Sequence, residues 1–301
     1  MHNLLLLVVC FLAGVLLKGS GKLPQATPSV LNGFIIHVSL PAITLLYIHD
    51  LTFSADVLYM AAMPWLHFGL GAGFFLLVGR LLKLSRSSIG ALMLTGGMGN
   101  TSFVGLPMIE AFYGKEGLAT GIIVDQLGSF MVLSTLGITV AGMYSKGMPS
   151  PGEVARRIVF FPPFIALVLA LVLIPVDYPD WFTATANRLG DTLAPLALFS
   201  VGYQLHPGHL EENLRSLLVG LAFKLLLAPL VISILYIELF GLSGLAVKVT
   251  LFEAAMPPMI AGGIIAAEHG INPSLSNLMI AVGVLLSFLT LPLWWMVLSW
   301  V

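Results

Sequence analysis

Long apolar runs recur along almost the whole chain, and this feature restricts the fold more than any other. A helix crosses a bilayer with about 20 mostly apolar residues, and runs of this kind leave no room for a soluble domain. Hydrophobic residues make up 58% of the 301 residues and charged residues only 9%, whereas soluble domains carry about 25% charged residues. The sequence therefore predicts an all-α polytopic membrane protein embedded in the lipid bilayer.

Ten segments satisfy the length and hydropathy rule for membrane spans. They cover approximately residues 3–17, 28–48, 57–82, 88–112, 117–144, 157–176, 182–205, 214–240, 245–268 and 274–300. The first segment has no basic residue before it and no small-residue cleavage pattern after it. We therefore interpret it as a retained helix and not as a signal peptide.

Basic residues in the connections predict the orientation, because they mark the cytoplasmic side. The odd-numbered connections hold Lys18, Lys22, Arg80, Lys83, Arg86, Lys146, Arg156, Arg157 and Arg215, whereas the even-numbered ones hold only Lys115 and Lys248. An even number of spans places both ends of the chain on the same side. We expect a multi-pass protein of the cell (inner) membrane with both termini extracytoplasmic.

The two halves of the chain resemble each other in their interruptions. A basic linker, residues 145–156, separates residues 1–144 from residues 157–301, with five predicted spans in each half. An odd number of spans per half requires that two repeats be inverted relative to each other. Spans 4 and 9 are interrupted by "GNTSFVGLP" and "AAMPPMIAGG". Interrupted spans at corresponding positions of two halves are the best sequence indicator of a transporter's binding site.

Three stretches carry a family resemblance. They are "GNTSFVGLPMIEAFYG", "DTLAPLALFSVGYQL" and "FEAAMPPMIAGGIIAAEHGINPSLSNL". In this order, they resemble the bacterial auxin efflux carrier family, relatives of the plant PIN auxin exporters, over essentially the whole chain. The resemblance implies ten transmembrane helices in two inverted five-helix repeats, with helices 4 and 9 broken where they cross, as in sodium/bile acid symporters.

The resemblance also implies a function. It indicates a secondary transporter, not an enzyme, that carries a small organic anion such as a carboxylate or an auxin-like compound. Helices 1, 2, 6 and 7 would form a scaffold that often makes a homodimer. Helices 3–5 and 8–10 would form a mobile domain that moves by elevator-type alternating access.

The residues at the two interruptions suit a carboxylate. Broken helices leave half-helix N-termini near the midplane, with free N–H donors and partial positive charge. The residues predicted to break the helices are Gly99, Pro107, Pro257 and Pro258. The residues predicted to bind substrate are Asn100, Thr101, Ser102, Met256, Pro257 and Pro258. The alternative is that the glycines only allow close helix packing.

Acidic residues inside predicted spans indicate function, because an intramembrane charge is costly. Glu253 resembles in position a glutamate that holds sodium in the bile acid symporters, but two prolines stand where polar ligands would follow. Ion or proton coupling is predicted at Glu253, Asp125 and Gln126. The alternatives are that Glu253 is a structural acceptor and that Asp125 neutralises Lys224 or Lys248. A sodium- or proton-coupled symporter of the bile acid symporter type is the alternative function.

Other classes of protein have less support. The net charge of −1 indicates no nucleic-acid partner, and the single cysteine, Cys10, excludes a disulfide framework. We predict no cofactor and no metal site, with sodium near Glu253 as the alternative. "GLSG", with Ser243 and the later His269, matches a short motif of rhomboid intramembrane serine proteases. Because the serine falls in a predicted loop, this protease is a remote alternative.

The remaining polar residues in or near the spans have structural interpretations. Glu110 and Glu268 lie near span ends, where solvation explains a carboxylate. His37 and His67 have no metal-ligand spacing. We interpret both as buried histidines with satisfied hydrogen bonds.

Overall fold

The computed structural model describes residues 2–49, 56–145, 150–204 and 210–300, and these residues are mainly helical. The helices of the first half are α1 (His2–Gly19), α2 (Thr27–His49), α3 (Asp56–Leu81), α4 (Arg86–Thr95), α5 (Leu106–Tyr113) and α6 (Lys115–Tyr144). Those of the second half are α7 (Pro151–Val159), α8 (Pro162–Leu173), α9 (Asp180–Gly190), α10 (Leu193–Gln204), α11 (Glu211–Leu239), α12 (Leu245–Ala254), α13 (Ile260–Glu268) and α14 (Pro273–Ser299).

Five helices among the described residues are long and apolar enough to cross a membrane: α2, α3, α6, α11 and α14. α1 and α8 contain shorter apolar helices. The predicted spans 4 and 9 are divided at their interruptions. The predicted span 7 is also divided, between α9 and α10, and this division was not predicted. The count of ten spans and the inverted repeat remain predictions.

Wide helical turns precede three of the prolines. π-helical turns cover Ile35–Ser39, Thr101–Gly105 and Phe223–Leu227, and each ends two residues before a proline. The prolines are Pro41, Pro107 and Pro229. Proline donates no backbone N–H, and its ring clashes with the carbonyl group four residues earlier. A wide turn displaces that carbonyl group, so the helix continues through the proline.

The second part of the predicted linker is helical. Helix α7 begins after Ser150, whose backbone N–H and hydroxyl donate hydrogen bonds to the Glu153 carboxylate at 2.7 and 3.1 Å. The backbone N–H of Glu153 donates in return to Oγ of Ser150, which completes a capping box. The bonds from Ser150 hold the pKa of Glu153 below its ordinary value. Residues 146–149 of the linker lie outside the described residues.

The described residues form two compact units. The first lies within residues 1–54, 102–122 and 155–205, and the second within residues 55–101, 123–154 and 206–301. In the first unit α1 packs against α10, and α2 packs against α8 and α9. A Cβ atom on Gly202 of α10 would overlap the carbonyl oxygen of Phe11. The two helices therefore approach each other at a distance that only glycine allows.

In the second unit, α14 packs against α4, α11 and α13 around an apolar core. α13 also packs against α4. A Cβ atom on Gly262 of α13 would overlap the carbonyl oxygen of Leu94 in α4. This close crossing brings the ends of two interrupted helices together.

Candidate functional site: two paired helix breaks and a buried charged cluster

Two helical segments stop and restart after five residues. α4 ends at Thr95, and the next helical turn begins at Thr101. α12 ends at Ala254, and α13 begins at Ile260. The non-helical segments, residues 96–100 and 255–259, lie at the predicted interruptions. We call them the first break and the second break.

The two breaks hydrogen-bond to each other. The backbone N–H of Asn100 donates to the carbonyl oxygen of Pro257 at 2.9 Å, and the N–H of Met259 donates to that of Thr95 at 3.0 Å. Between these bonds, Gly99 forms an isolated antiparallel bridge with Pro258. A helix end leaves backbone groups without intrahelical partners, and lipid offers them none. The pairing satisfies part of this need and holds the two breaks side by side.

Most of the predicted binding residues are buried at this crossing. Asn100 and Thr101 of the first segment are buried, and so are Met256, Pro257 and Pro258 of the second. Ser102 follows Thr101 in the π-helical turn and is half-buried.

Pro107 lies outside the first break. It is the second residue of α5, where the helix continues after the π-helical turn. The prediction that Pro107 breaks the helix is therefore wrong, because the wide turn at residues 101–105 accommodates the proline.

The predicted coupling residues are also buried in the second unit. Glu253 lies in the last turn of α12, immediately before the second break. Asp125 lies in a π-helical turn of α6 and accepts a hydrogen bond from Oγ1 of Thr101 at 2.6 Å. Gln126 is the next residue of that turn and is fully buried. Asp125 therefore holds the side chain that begins the helical turn after the first break.

A lysine and a histidine, which were not predicted to belong to the site, complete the cluster. Lys224 is fully buried in a π-helical turn of α11. Its Nζ donates to the carbonyl oxygen of Ala254 at 2.8 Å and lies 3.3 Å from Nε2 of His67. Lys224 therefore neutralises part of the negative end of α12. Lone charges inside apolar helices are rare and functional, and this signal identifies Lys224 from sequence.

The remaining candidates lie apart from this cluster or are exposed. Ser243 of the protease motif lies in an exposed loop. His269 directly follows α13, and its ring hydrogen-bonds the carbonyl oxygen of Ile265 in that helix. Glu268 is exposed, as expected, and Glu110 is half-buried. His37 is exposed, so the prediction that it is buried is wrong.

The comparisons with known proteins agree with a transport role. The sequence model of a family described as "Membrane transport protein" matches residues 1–295. A transporter from Methanothermobacter thermautotrophicus, named as uncharacterized, is 29% identical over 99% of this chain and 98% of its own. A second such transporter, from Methanocaldococcus jannaschii, is 26% identical over 99% of both chains. The Escherichia coli K12 transporter YfdV, also named as uncharacterized, is 23% identical over 97% of this chain and 95% of its own.

Proposed function

Because the chain belongs to the membrane transport protein family, which confirms the resemblance to the auxin efflux carriers, we propose that it is a secondary carrier of a small organic anion. The observation that carries the proposal is the pairing of the two breaks by backbone hydrogen bonds in a buried part of the second unit. In transporters, broken helices place substrate sites where helix termini meet.

The chemistry at the breaks favours a carboxylate. The N-cap residue of α13 is Met259, whose side chain makes no capping hydrogen bond. The first N–H groups of a helix have no intrahelical partners, and they carry partial positive charge. Asn100 adds an amide at the edge of the same pairing. A carboxylate that enters this region meets neutral donors and a partial positive charge, which bind an anion without holding it irreversibly.

The charged cluster supports coupling of transport to a second ion. Glu253, Asp125 and Lys224 are all buried next to the breaks. When charged groups lie beside a substrate site, a bound anion changes the affinity of these groups for a proton or a cation. Coupling at Glu253 and Asp125 is therefore part of the proposal.

We propose that the carrier works by an elevator-type movement. The division into two compact units supports it, because α3, α11, α12, α13 and α14 fall within the second unit, which also contains both breaks. The first unit contains α1, α2, α8, α9 and α10, the region expected to act as scaffold. It also contains α5 and the start of α6, which the resemblance assigns to the mobile domain. Spin labels at Gln25 and Lys83, one in each unit and both exposed, give the test in a variant without Cys10. Added substrate should change their distance distribution, and an unchanged distribution would argue against the movement.

Flux into proteoliposomes tests the proposed function. A panel of labelled mono- and dicarboxylates should include at least one compound with saturable uptake. Asn100→Ala should reduce that uptake at least about tenfold, since it removes the amide at the breaks. Asn187→Ala is the matched control, because the side-chain amide of Asn187 donates to the carbonyl oxygen of Thr183 within α9 and to no other group of the described residues. No carboxylate uptake in the wild type, or equal rates in the two variants, would contradict the proposal.

A further inference from the structure

Four titratable side chains from four helices meet beside the breaks. They are His67 of α3, Asp125 of α6, Lys224 of α11 and Glu253 of α12, with exposed fractions of 2%, 4%, 0% and 0%. α14, which also packs against α12, contributes no titratable side chain. The charge of this cluster is therefore set by these four groups.

The contacts of Lys224 define the charge of His67. An ammonium group can only donate hydrogen bonds. When Lys224 is charged, Nε2 of His67 at 3.3 Å must therefore accept, and the imidazole is neutral. The His67 ring also hydrogen-bonds the backbone of Gly96. Both neighbours fit a neutral histidine held between the first break and Lys224.

The cluster then has one negative charge too many. Two carboxylates, one ammonium and a neutral imidazole sum to −1. A buried charge inside a membrane protein is costly without a partner. One additional positive charge, a proton or a small cation, makes the cluster neutral.

Within the cluster, Glu253 is the carboxylate whose charged form is not stabilised by a hydrogen-bond donor among the described residues. Neither of its carboxylate oxygens has a hydrogen-bond partner among the described residues. Asp125, in contrast, accepts the hydroxyl of Thr101 at 2.6 Å, and a hydrogen bond of this kind stabilises a carboxylate. The extra proton therefore belongs on Glu253.

A small cavity reaches this carboxyl group. Its polar lining comes from Glu253, His67, Thr101 and Ser129, and its apolar lining includes Met98. The volume is about 10 Å³, close to the smallest space that holds one water molecule. A carboxylate substrate does not fit into this space. Water does, and water can deliver a proton to Glu253.

We propose that Glu253, with Lys224 and His67, is the binding site for one coupling proton that is transported together with the anion. The proposal rests on the proposed carrier function and deepens it. A bound anion next to the cluster favours the protonated form of Glu253, and by linkage the proton favours binding of the anion to the same extent. Proton and anion therefore load and leave together. Sodium in the same cavity would face repulsion from the Lys224 ammonium.

Infrared difference spectroscopy of the purified protein tests the proton site without transport. The wild type should show the C=O band of a protonated carboxylic acid that responds to pH and is lost in Glu253→Gln. Glu268→Gln, which changes an exposed glutamate, is the matched control and should keep the band. If Glu253→Gln does not fold, Glu253→Asp should shift the band. A wild type without the band, or a band unchanged in the Glu253 variants, would overturn the proposal.

Flux measurements test the coupling separately. At zero membrane potential, a pH difference of one unit should drive up to about tenfold accumulation of a transported monocarboxylate. Glu253→Gln should show no accumulation under the same pH difference, whereas Glu268→Gln, at an exposed position, should accumulate the monocarboxylate like the wild type. Accumulation driven by a sodium gradient and not by pH would overturn the proton assignment while leaving the carrier function intact. Absence of any carboxylate flux would contradict the carrier function, and the infrared band would still decide whether Glu253 binds a proton.

Discussion

Lys224 shows how one side chain stabilises an interrupted helix. Its ammonium lies at the C-terminal end of α12, where it donates to the carbonyl oxygen of Ala254. A Cβ atom on Gly99 would lie 3.4 Å from Nζ of Lys224 and 3.3 Å from the carbonyl oxygen of Glu253. The lysine therefore touches the end of one broken helix and lies close to the break in the other.

Removal of this ammonium should destabilise the protein. Lys224→Met leaves the Ala254 carbonyl oxygen without its donor and removes the ammonium that balances the buried negative charge of the cluster. Loss of one partner of a buried hydrogen bond costs about 1–3 kcal/mol, so the free energy of unfolding in detergent should fall by at least about 1 kcal/mol. Lys248→Met, which changes a half-buried lysine in α12, should have a smaller effect. Equal stability of the two variants would show that Lys224 has no structural role.

The sequence predicts the acidic residues of the site, Glu253 and Asp125, better than its basic residues. Glu253 and Asp125 are found because an acid inside an apolar span is conspicuous. The sequence predicted His67 to be a satisfied buried histidine, and its burial is confirmed. Its contact with Lys224 depends on how α3 and α11 pack, which no local pattern encodes.

The sequence predicts the positions of the two helix breaks well. Glycines mark the first break and prolines mark the second, and the structure confirms that residues 96–100 and 255–259 are non-helical. The π-helical turns before Pro41, Pro107 and Pro229 were not predicted. A proline shows where a helix must adjust, but neighbouring helices decide whether it breaks or only widens.

The crossing of α13 over α4 depends on a glycine. In Gly262→Ala the new Cβ atom would overlap the carbonyl oxygen of Leu94. The helices must therefore separate, which should disturb the hydrogen bonds between the breaks. We expect a fall in the midpoint temperature of thermal unfolding and at least about tenfold slower carboxylate uptake. Gly73→Ala is the matched control, because a Cβ atom at this position in α3 has no other atom within 4 Å, and it should behave like the wild type. A Gly262→Ala variant as stable and as active as Gly73→Ala would contradict the close crossing.

The capping box of α7 predicts that the stability of this helix depends on pH. The pKa of Glu153 is lowered by hydrogen bonds from Ser150, so the helix gains stability above the ordinary glutamate pKa and loses it as the pH falls through the lowered value. The protection of the first-turn amides of α7 against hydrogen exchange, taken relative to the intrinsic rate at each pH, should fall in that acidic range. In Ser150→Ala this protection should be lower at neutral pH and nearly independent of pH. Wild-type protection without a step in the acidic range would refute the capping role.

For the whole molecule, composition alone predicts a multi-pass membrane protein, and the long apolar helices and the family agree. The scaffold and transport regions follow from resemblance only. Periodicity describes each helix, but the grouping of helices into two units depends on contacts between residues far apart in sequence. The sequence also does not reveal the division of predicted span 7 at residues 191–192.

Counterflow tests most directly whether the molecule is a carrier. Wild-type proteoliposomes are loaded with an unlabelled carboxylate from the panel and diluted into a trace of the labelled compound at zero membrane potential and equal pH. A carrier with alternating access exchanges inside for outside substrate, so the label should transiently accumulate inside above its equilibrium level. Ser243→Ala should give the same overshoot, because Ser243 lies in an exposed loop. Simple equilibration of the label without an overshoot, as through a channel, would show that the protein is not a carrier.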